Sequence, residues 1–173
     1  MNPLGPLNGK SFGTIISPWI ITLDALESFK SPSPARNPDI ELAPYLQDLS
    51  PNSSYSVSIT ATIESKTSPA NIVCETSLNT LYWTLRDMVA HQTSNGCNLN
   101  TGDLLATGTI SGTTAKSHGC LLELVKSGGA PVKTESGEAR KMWLEDGDVV
   151  RMVGVAGPGV GFGECVGMVL PSS

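Results

Sequence analysis

The chain has 173 residues, 39% of them hydrophobic, which is enough for one domain with a buried core and too few to indicate two. Its formal net charge is −5 and it has no cluster of Lys and Arg, which argues against nucleic acid or an anionic membrane surface as a partner. It has no apolar stretch near the roughly 20 residues that cross a bilayer and no signal-peptide pattern at its start. These features predict a cytoplasmic protein.

Four cysteines are spread along the chain, and none of them forms a C-x-x-C pair. Zinc binding is therefore not indicated, and a chain of this length does not require a disulfide framework. We predict free thiols that act mainly as small hydrophobic side chains. The four are Cys74, Cys97, Cys120 and Cys165.

The first half of the chain alternates loops with strand patterns. The apolar run Trp19 to Leu23 predicts a strand that leads into a short turn or helix at Asp24 to Leu26. Four prolines between Ser31 and Pro44 predict a loop or an extended surface crossing. From Ser54 to Ile63, apolar residues alternate with Ser and Thr, which is the period of a half-buried strand.

One helix is predicted from Thr76 to Gln92, where apolar residues recur mostly every three or four positions. Ser77 is expected to cap its start, and Asn95-Gly96 to close its end. After Gly102 the glycine-rich sequence predicts a series of strands and tight turns. The strands are Asp103 to Ile110, Cys120 to Lys126, Val149 to Val155 and Cys165 to Leu170, and the turns lie at Ser127-Gly128-Gly129, Ser136-Gly137 and Asp146-Gly147.

Ten short blocks, many of them rich in glycine, follow one another along nearly the whole chain. They are Gly9 to Thr14, Ile16 to Trp19, Leu81 to Thr84, Asn95 to Leu99, Gly102 to Leu105, Gly108 to Gly112, Leu122 to Leu124, Leu144 to Asp148, Gly161 to Cys165 and Val169 to Pro171. In this order and spacing they resemble the C-terminal part of the catalytic domain of the fumarylacetoacetase family. With the strand patterns, the resemblance predicts a mainly β fold, a mixed β-sandwich or roll with one packed helix.

The resemblance implies an enzyme of tyrosine and phenylalanine breakdown that works as a homodimer and uses Mg²⁺ or Ca²⁺. Its small-molecule substrate would be fumarylacetoacetate, hydrolysed at a carbon-carbon bond to fumarate and acetoacetate. Water activated by a histidine and a carboxylate attacks one ketone, and the departing carbanion is held as an enolate. A divalent cation can polarise the diketone oxygens as a Lewis acid.

Four residues match the family's site positions. Lys10 and Thr14 match positions beside the metal, and Lys10 is also expected to stabilise the enolate, because an ammonium has donors but no acceptor. Thr109 matches a substrate-contacting threonine between glycines. Glu123 matches the carboxylate that orients the catalytic histidine. Without the resemblance, Lys10 would be a solvated turn residue, Thr14 and Thr109 local hydroxyls, and Glu123 an outward-facing acid on a strand.

Other titratable residues are assigned ordinary roles. His91 and His118 do not match the family's catalytic histidine. We expect His91 to support the helix C-terminus electrostatically and His118 to lie in a variable turn. The acidic residues of Leu144 to Asp148 indicate a hairpin rather than a metal cluster.

The family's catalytic histidine, its metal-binding carboxylates, and its substrate-holding arginine, glutamine and tyrosines match positions upstream of Lys10. Residues 1–173 are therefore interpreted as a partial catalytic domain, without the upstream part and the N-terminal β domain, and inactive alone. The stretch Gly154 to Gly161 is also shorter than usual and less polar. One alternative is a non-catalytic β scaffold or dimerisation module. Another is a different superfamily member, such as an acylpyruvate hydrolase or decarboxylase, although Leu81 to Leu99 and Gly108 to Gly112 are closer to fumarylacetoacetase.

Overall fold

The computed structural model describes residues 13–126 and 143–172. Its strands are β1 (Lys30–Ser31), β2 (Ser54–Tyr55), β3 (Ser58–Ser65), β4 (Ser68–Ser77), β5 (Val149–Gly157) and β6 (Val160–Met168). The last four form an antiparallel sheet in the order β4-β3-β5-β6, and β1 pairs with β2. Two hairpins build this sheet and join through β3 and β5, which are far apart in sequence. The predicted mainly β class is confirmed.

Short helices accompany the sheet. In the described residues they are α1 (Leu23–Leu26), α2 (Leu85–Thr93) and α3 (Leu121–Lys126), with 3₁₀ turns at Glu27–Phe29, Pro44–Leu46 and Leu78–Thr80. Within this part of the chain, none of the helices is both long and apolar enough to cross a bilayer.

The core forms where α1, β2 and the start of β3 meet the β5-β6 hairpin. Leu26, Tyr55 and Val57 are buried at its centre. The alternation predicted from Ser54 onwards therefore places Tyr55 and Val57 on the buried side. A side chain at Gly157 would meet the Phe29 ring at 2.4 Å, so this glycine lets the ring pack against the hairpin. The partly buried residues around the centre are Ile21, Phe29, Ile59, Leu78, Leu85, Ala156, Val160 and Phe162.

The predicted helix from Thr76 to Gln92 begins later than expected. Strand β4 continues to Ser77 because its backbone pairs with β3, and α2 starts only at Leu85. Ser77 makes no cap hydrogen bond to the 3₁₀ turn that follows it. The cap is Thr84, whose Oγ1 accepts the N–H of Asp87 at 3.2 Å while Asp87 Oδ2 accepts the N–H of Thr84 at 2.8 Å.

The predicted strand from Trp19 to Leu23 is wrong, although the short helix after it is confirmed as α1. Residues 15–19 contact β6 through side chains instead of a strand ladder. The position of a Cβ on Gly163 lies 2.3 Å from Trp19 Cδ1, and that on Gly167 lies 2.3 Å from Ile15 Cδ1. Ser17 Oγ also donates to the carbonyl of Phe162 at 3.0 Å. Glycines in β6 thus make room for these apolar side chains.

Later strand predictions had mixed outcomes. Val149 to Val155 lies in β5, and β6 contains the first part of Cys165 to Leu170. Asp103 to Ile110 is irregular, and Cys120 to Lys126 contains α3 rather than a strand. Most of β4, which has a proline as its second residue, was not among the predicted strands. The predicted turns at Ser127-Gly128-Gly129 and Ser136-Gly137 lie outside the described residues.

Two turns beside β5 follow the glycine pattern. Asp146-Gly147 is a turn in which Gly147 has φ +94° and donates its N–H to the carbonyl of Val169 at 2.7 Å. The stretch Gly154 to Gly161 forms the tip of the β5-β6 hairpin, where Gly159 has φ +78°. Both glycines occupy the left-handed region that other residues rarely adopt.

Candidate functional site

A carboxylate is held in place at the start of α3. Glu123 Oε2 accepts a hydrogen bond from Ser111 Oγ at 2.7 Å and another from the N–H of Gly119 at 2.9 Å. Ser111, Gly119 and Glu123 are all half-buried. Hydrogen bonds to a charged acceptor are stronger than neutral ones, so this carboxylate has one well-anchored oxygen.

Helix α3 explains why the predicted strand at Glu123 is wrong. Glu123 is the third residue of α3, and an acid at that position can reach back to free N–H groups before the helix. Its side chain bonds the N–H of Gly119, and its own N–H donates to the carbonyl of Cys120 at 3.2 Å. Local hydrogen bonding at a helix start therefore replaces the extended backbone that the apolar neighbours suggested.

Gly119 brings Thr109 to the same place. A Cβ on Gly119 would lie 2.5 Å from Thr109 Cγ2 and 2.6 Å from the carbonyl oxygen of Ile110. Such contacts are too short for any other residue, so glycine permits the two segments to touch. The structure thus brings Thr109 and Glu123 together through one residue, and Thr109 itself is exposed.

The buried thiol of Cys74 lies within electrostatic range of this carboxylate. Burial, followed by the negative charges of Glu123 and Glu75, raises the pKa of Cys74 above its ordinary value of 9.0. The N–H of Glu75 donates to the carbonyl of Lys116 at 2.8 Å, which ties β4 to the loop before α3. The Cys74 thiol therefore stays neutral near neutral pH and adds no negative charge to the surroundings of Glu123.

A cleft of about 410 Å³ lies between the β3-β4 hairpin and the loop of residues 112–117. Hydroxyl groups dominate its walls, including those of Ser58, Thr60, Thr76 and Thr80. Thr76 Oγ1 is buried without a hydrogen-bond partner among the described residues. Thr80 Oγ1 donates to the carbonyl of Ser77 at 2.8 Å and lies 3.4 Å from the carbonyl oxygen of Ser111, so this polar cleft borders the Glu123 site.

A second pocket, of about 400 Å³, is more apolar. Its lining residues are Leu46, Trp83, Asp87, Met88, His91, Ala106 and Thr107. It lies between α2 and the segment that leads to Thr109. His91 lies in the last turn of α2, as predicted, and is exposed.

An arginine that sequence analysis did not single out fixes the start of α2. Arg36 pairs with the buried Asp87 and donates to the carbonyl of Tyr82 at 2.9 Å. Its guanidinium carbon also lies 4.7 Å from the ring centre of Tyr82 and 4.8 Å from that of Trp83. The sequence around Arg36 contains no motif that would have indicated this role, because Arg36 lies in a proline-rich loop and its partner Asp87 is 51 positions away.

The profile described as "Fumarylacetoacetate (FAA) hydrolase C-terminal" matches residues 1–169 of this chain. This chain belongs to the fumarylacetoacetate hydrolase family. Fumarylacetoacetase of Arabidopsis thaliana is 45% identical over 98% of the chain, that of Dictyostelium discoideum 43% and that of Homo sapiens 42%, each over 98%. The chain spans 40 to 41% of the length of these relatives.

The other two predicted site residues are Lys10 and Thr14. Lys10 lies outside the described residues. Thr14 is exposed and precedes Ile15, whose carbonyl accepts a hydrogen bond from Cys165 Sγ at 3.6 Å. Across residues 13–126 and 143–172, no recorded contact joins Thr14 to Thr109 or Glu123. The role that the family resemblance implies for Thr14 therefore stays a prediction.

In the described ranges, no group of three or more His, Cys, Asp and Glu side chains could hold a metal ion. Thr14 offers one neutral oxygen, whereas Mg²⁺ and Ca²⁺ take several oxygen ligands, commonly with carboxylates. The described residues therefore do not form such a site by themselves. Asp148, one of the acids predicted to lie in a turn, is buried and accepts the N–H of Glu145 at 2.8 Å.

Proposed function

We propose that this chain carries part of the active site of a fumarylacetoacetase. The reaction is hydrolysis of fumarylacetoacetate to fumarate and acetoacetate. Family membership and the names of the relatives support this proposal. The observation that carries it is the half-buried carboxylate of Glu123, anchored beside the exposed Thr109.

Each matched residue has a role in the proposed reaction. Water adds to one ketone carbon, the bond from that carbon to the neighbouring methylene breaks, and the electron pair leaves as an enolate that takes up a proton. Glu123 orients the histidine that removes the proton from water, and Thr109 contacts the substrate. Lys10 stabilises the enolate charge. Thr14 would lie beside a divalent cation, Mg²⁺ or Ca²⁺, whose other ligands would come from outside the described residues and which would supply Lewis-acid polarisation of the diketone.

The broader setting is also a proposal. Residues 1–173 supply one part of a catalytic domain, the enzyme is a homodimer, and it works in the cytoplasm in tyrosine and phenylalanine breakdown. The homologues and the family blocks support the first point. The sheet is open, with β4 and β6 as its edge strands, which supports association, and the net charge of −5 is consistent with a small-molecule substrate rather than a nucleic acid.

A hybrid enzyme tests the function directly. The matching C-terminal part of the Arabidopsis relative is replaced by this chain, and loss of fumarylacetoacetate absorbance is followed. We expect turnover, a fall in kcat of about tenfold or more for Glu123→Gln because the histidine loses its orienting charge, and little change for His118→Ala. The reverse order of effects would overturn both assignments. Faster turnover of an acylpyruvate would favour another superfamily activity, and an inactive but dimeric hybrid would favour a scaffold.

The chain alone provides the comparison. We expect weak Mg²⁺ binding by calorimetry and no measurable turnover, because Lys10 and Thr14 cannot hold a cation without carboxylates. Turnover by the 173-residue chain that is abolished by Lys10→Met would show that these catalytic residues are misplaced.

A further inference from the structure

We propose that Ser111 is a positioning residue that, together with the N–H of Gly119, holds the carboxylate of Glu123 in one orientation. The inference rests on the proposed function, in which Glu123 acts on the catalytic histidine. Ser111 itself touches neither the substrate nor the reacting atoms in this scheme. It acts through Glu123.

The hydrogen bonds hold one carboxylate oxygen of Glu123, Oε2, and leave the other, Oε1, available. Ser111 Oγ lies 2.7 Å from Glu123 Oε2, the N of Gly119 lies 2.9 Å from the same oxygen, and Gly119 N and Ser111 Oγ are 3.3 Å apart. The three groups form a closed triangle of hydrogen bonds. Oε1 makes no hydrogen bond to the described residues, so it is the oxygen left to accept an N–H from a partner. A carboxylate has about four acceptor sites, so one oxygen can bind two donors while the other binds the partner.

The backbone of Ser111 is itself fixed. The next residue, Gly112, donates its N–H to the carbonyl of Ser117 at 2.9 Å. The Ser111 carbonyl oxygen lies 3.4 Å from Thr80 Oγ1, whose single proton has a nearer acceptor in the carbonyl of Ser77 at 2.8 Å. Gly119 has no room for a side chain against Thr109 and Ile110. The two residues that donate to Glu123, Ser111 and Gly119, therefore have their backbone positions set by contacts outside α3.

Ordering a glutamate side chain costs conformational entropy. Two hydrogen bonds to a charged acceptor offset more of that cost than one bond does. Loss of the Ser111 hydroxyl therefore frees the carboxylate to rotate about the remaining bond to Gly119.

A serine in the same loop provides a matched control. Ser117 Oγ accepts the N–H of Thr114 at 2.9 Å and donates to the carbonyl of Thr114 at 2.9 Å. It makes no hydrogen bond to Glu123 in the described part of the chain. Ser117→Ala thus removes a hydroxyl from the loop without removing a donor from the carboxylate.

The test measures the side-chain couplings of Glu123 by NMR in the full 173-residue chain. We expect one rotamer in the protein, averaged couplings in Ser111→Ala, and a single rotamer again in Ser111→Thr and Ser117→Ala. Ser111→Cys, which keeps the size but donates weakly, serves if Ser111→Ala does not fold and should also give averaged couplings. A single rotamer in a folded Ser111→Ala or Ser111→Cys variant overturns the inference.

The hybrid enzyme gives a second readout. Ser111→Ala should lower kcat about tenfold with KM unchanged, because the loss acts through the histidine rather than on substrate binding. Ser111→Thr should restore most of the rate. A rise in KM with kcat unchanged overturns the positioning role, and so does a Ser111→Thr variant that does not recover the rate. The two experiments separate the two proposals. If the hybrid is inactive, the proposed function is contradicted. If the Glu123 couplings still become averaged in Ser111→Ala, the orientation of Glu123 by Ser111 is supported independently.

Discussion

The thiol of Cys74 is buried in β4 and lies close enough to Glu123 to respond to its charge. The raised pKa of Cys74 has a consequence for stability. The unfolded chain loses the thiol proton near the ordinary value of 9.0, while the folded protein keeps it to higher pH. The folded state then binds more protons than the unfolded state, so this contribution to stability falls as pH rises above 9.0.

We predict that Cys74→Ala lowers the free energy of unfolding by about 1 kcal/mol below pH 9, through loss of a buried sulfur. The difference from the unsubstituted protein should narrow as pH rises beyond that value, because only the unsubstituted protein has the thiol linkage. Urea unfolding at about pH 8 and about pH 10 measures both differences. The exposed Cys97 offers a control, since Cys97→Ala should leave stability nearly unchanged at both. A gap that widens with pH would contradict the raised pKa.

Helix α2 shows how one element depends on its first turn. It has nine residues, a length at which an isolated helix is only marginally stable in water. The reciprocal hydrogen bonds between Thr84 and Asp87 supply its start, and Arg36 neutralises the buried Asp87. Leu85 then contacts the core. The position of the Trp83 and Met88 pocket follows from this anchoring.

The capping arrangement leads to a substitution pair. Thr84→Ala should lower the free energy of unfolding by about 1 to 2 kcal/mol, because it leaves a helix N–H and one carboxylate contact without a partner. Ser77→Ala should cost less than about 0.5 kcal/mol, since Ser77 makes no cap hydrogen bond. Urea titration followed by circular dichroism compares the two. Equal losses, or a larger loss for Ser77→Ala, would show that the helix begins where the apolar spacing alone suggested.

At the scale of the whole molecule, the four-stranded sheet has β4 and β6 as its edges. Exposed strand edges favour pairing with another chain. Large apolar side chains are also exposed, including Ile20 at 89% and Trp19 at 68%. Both features favour the dimer or larger association that we propose.

Light scattering over a range of concentrations should show a dimer or larger species. Ile72→Lys, on the β4 edge where the side chain is 52% exposed, should weaken association because edge charges oppose strand pairing. Ile40→Lys changes an equally exposed isoleucine, at 55%, in the proline-rich crossing and should have little effect. A monomer at every concentration would rule out the predicted association, and equal effects of both variants would rule out the β4 edge.

The sequence by itself determined the family and located β3, β5 and the end of β6, but not most of β4. The ordered blocks from Gly9 to Pro171 identified the relatives, and the alternation from Ser54 to Ile63 marked the buried residues Tyr55 and Val57. These signals are local, because a strand with one buried face has an apolar residue at every second position. The end of α2 near Gly96 could also be predicted from a local signal, because the left-handed backbone conformation there favours glycine.

Only the tertiary structure decided where elements begin and which side chains meet. Pairing with β3 kept Thr76 and Ser77 in a strand although their neighbours have helical spacing. Glu123 lies in the first turn of α3 rather than in a strand, and its side chain accepts hydrogen bonds from Ser111 and Gly119. Such choices depend on partners that lie far along the chain or across a turn, and the free energy of each contact exceeds the small intrinsic preference of the residues involved.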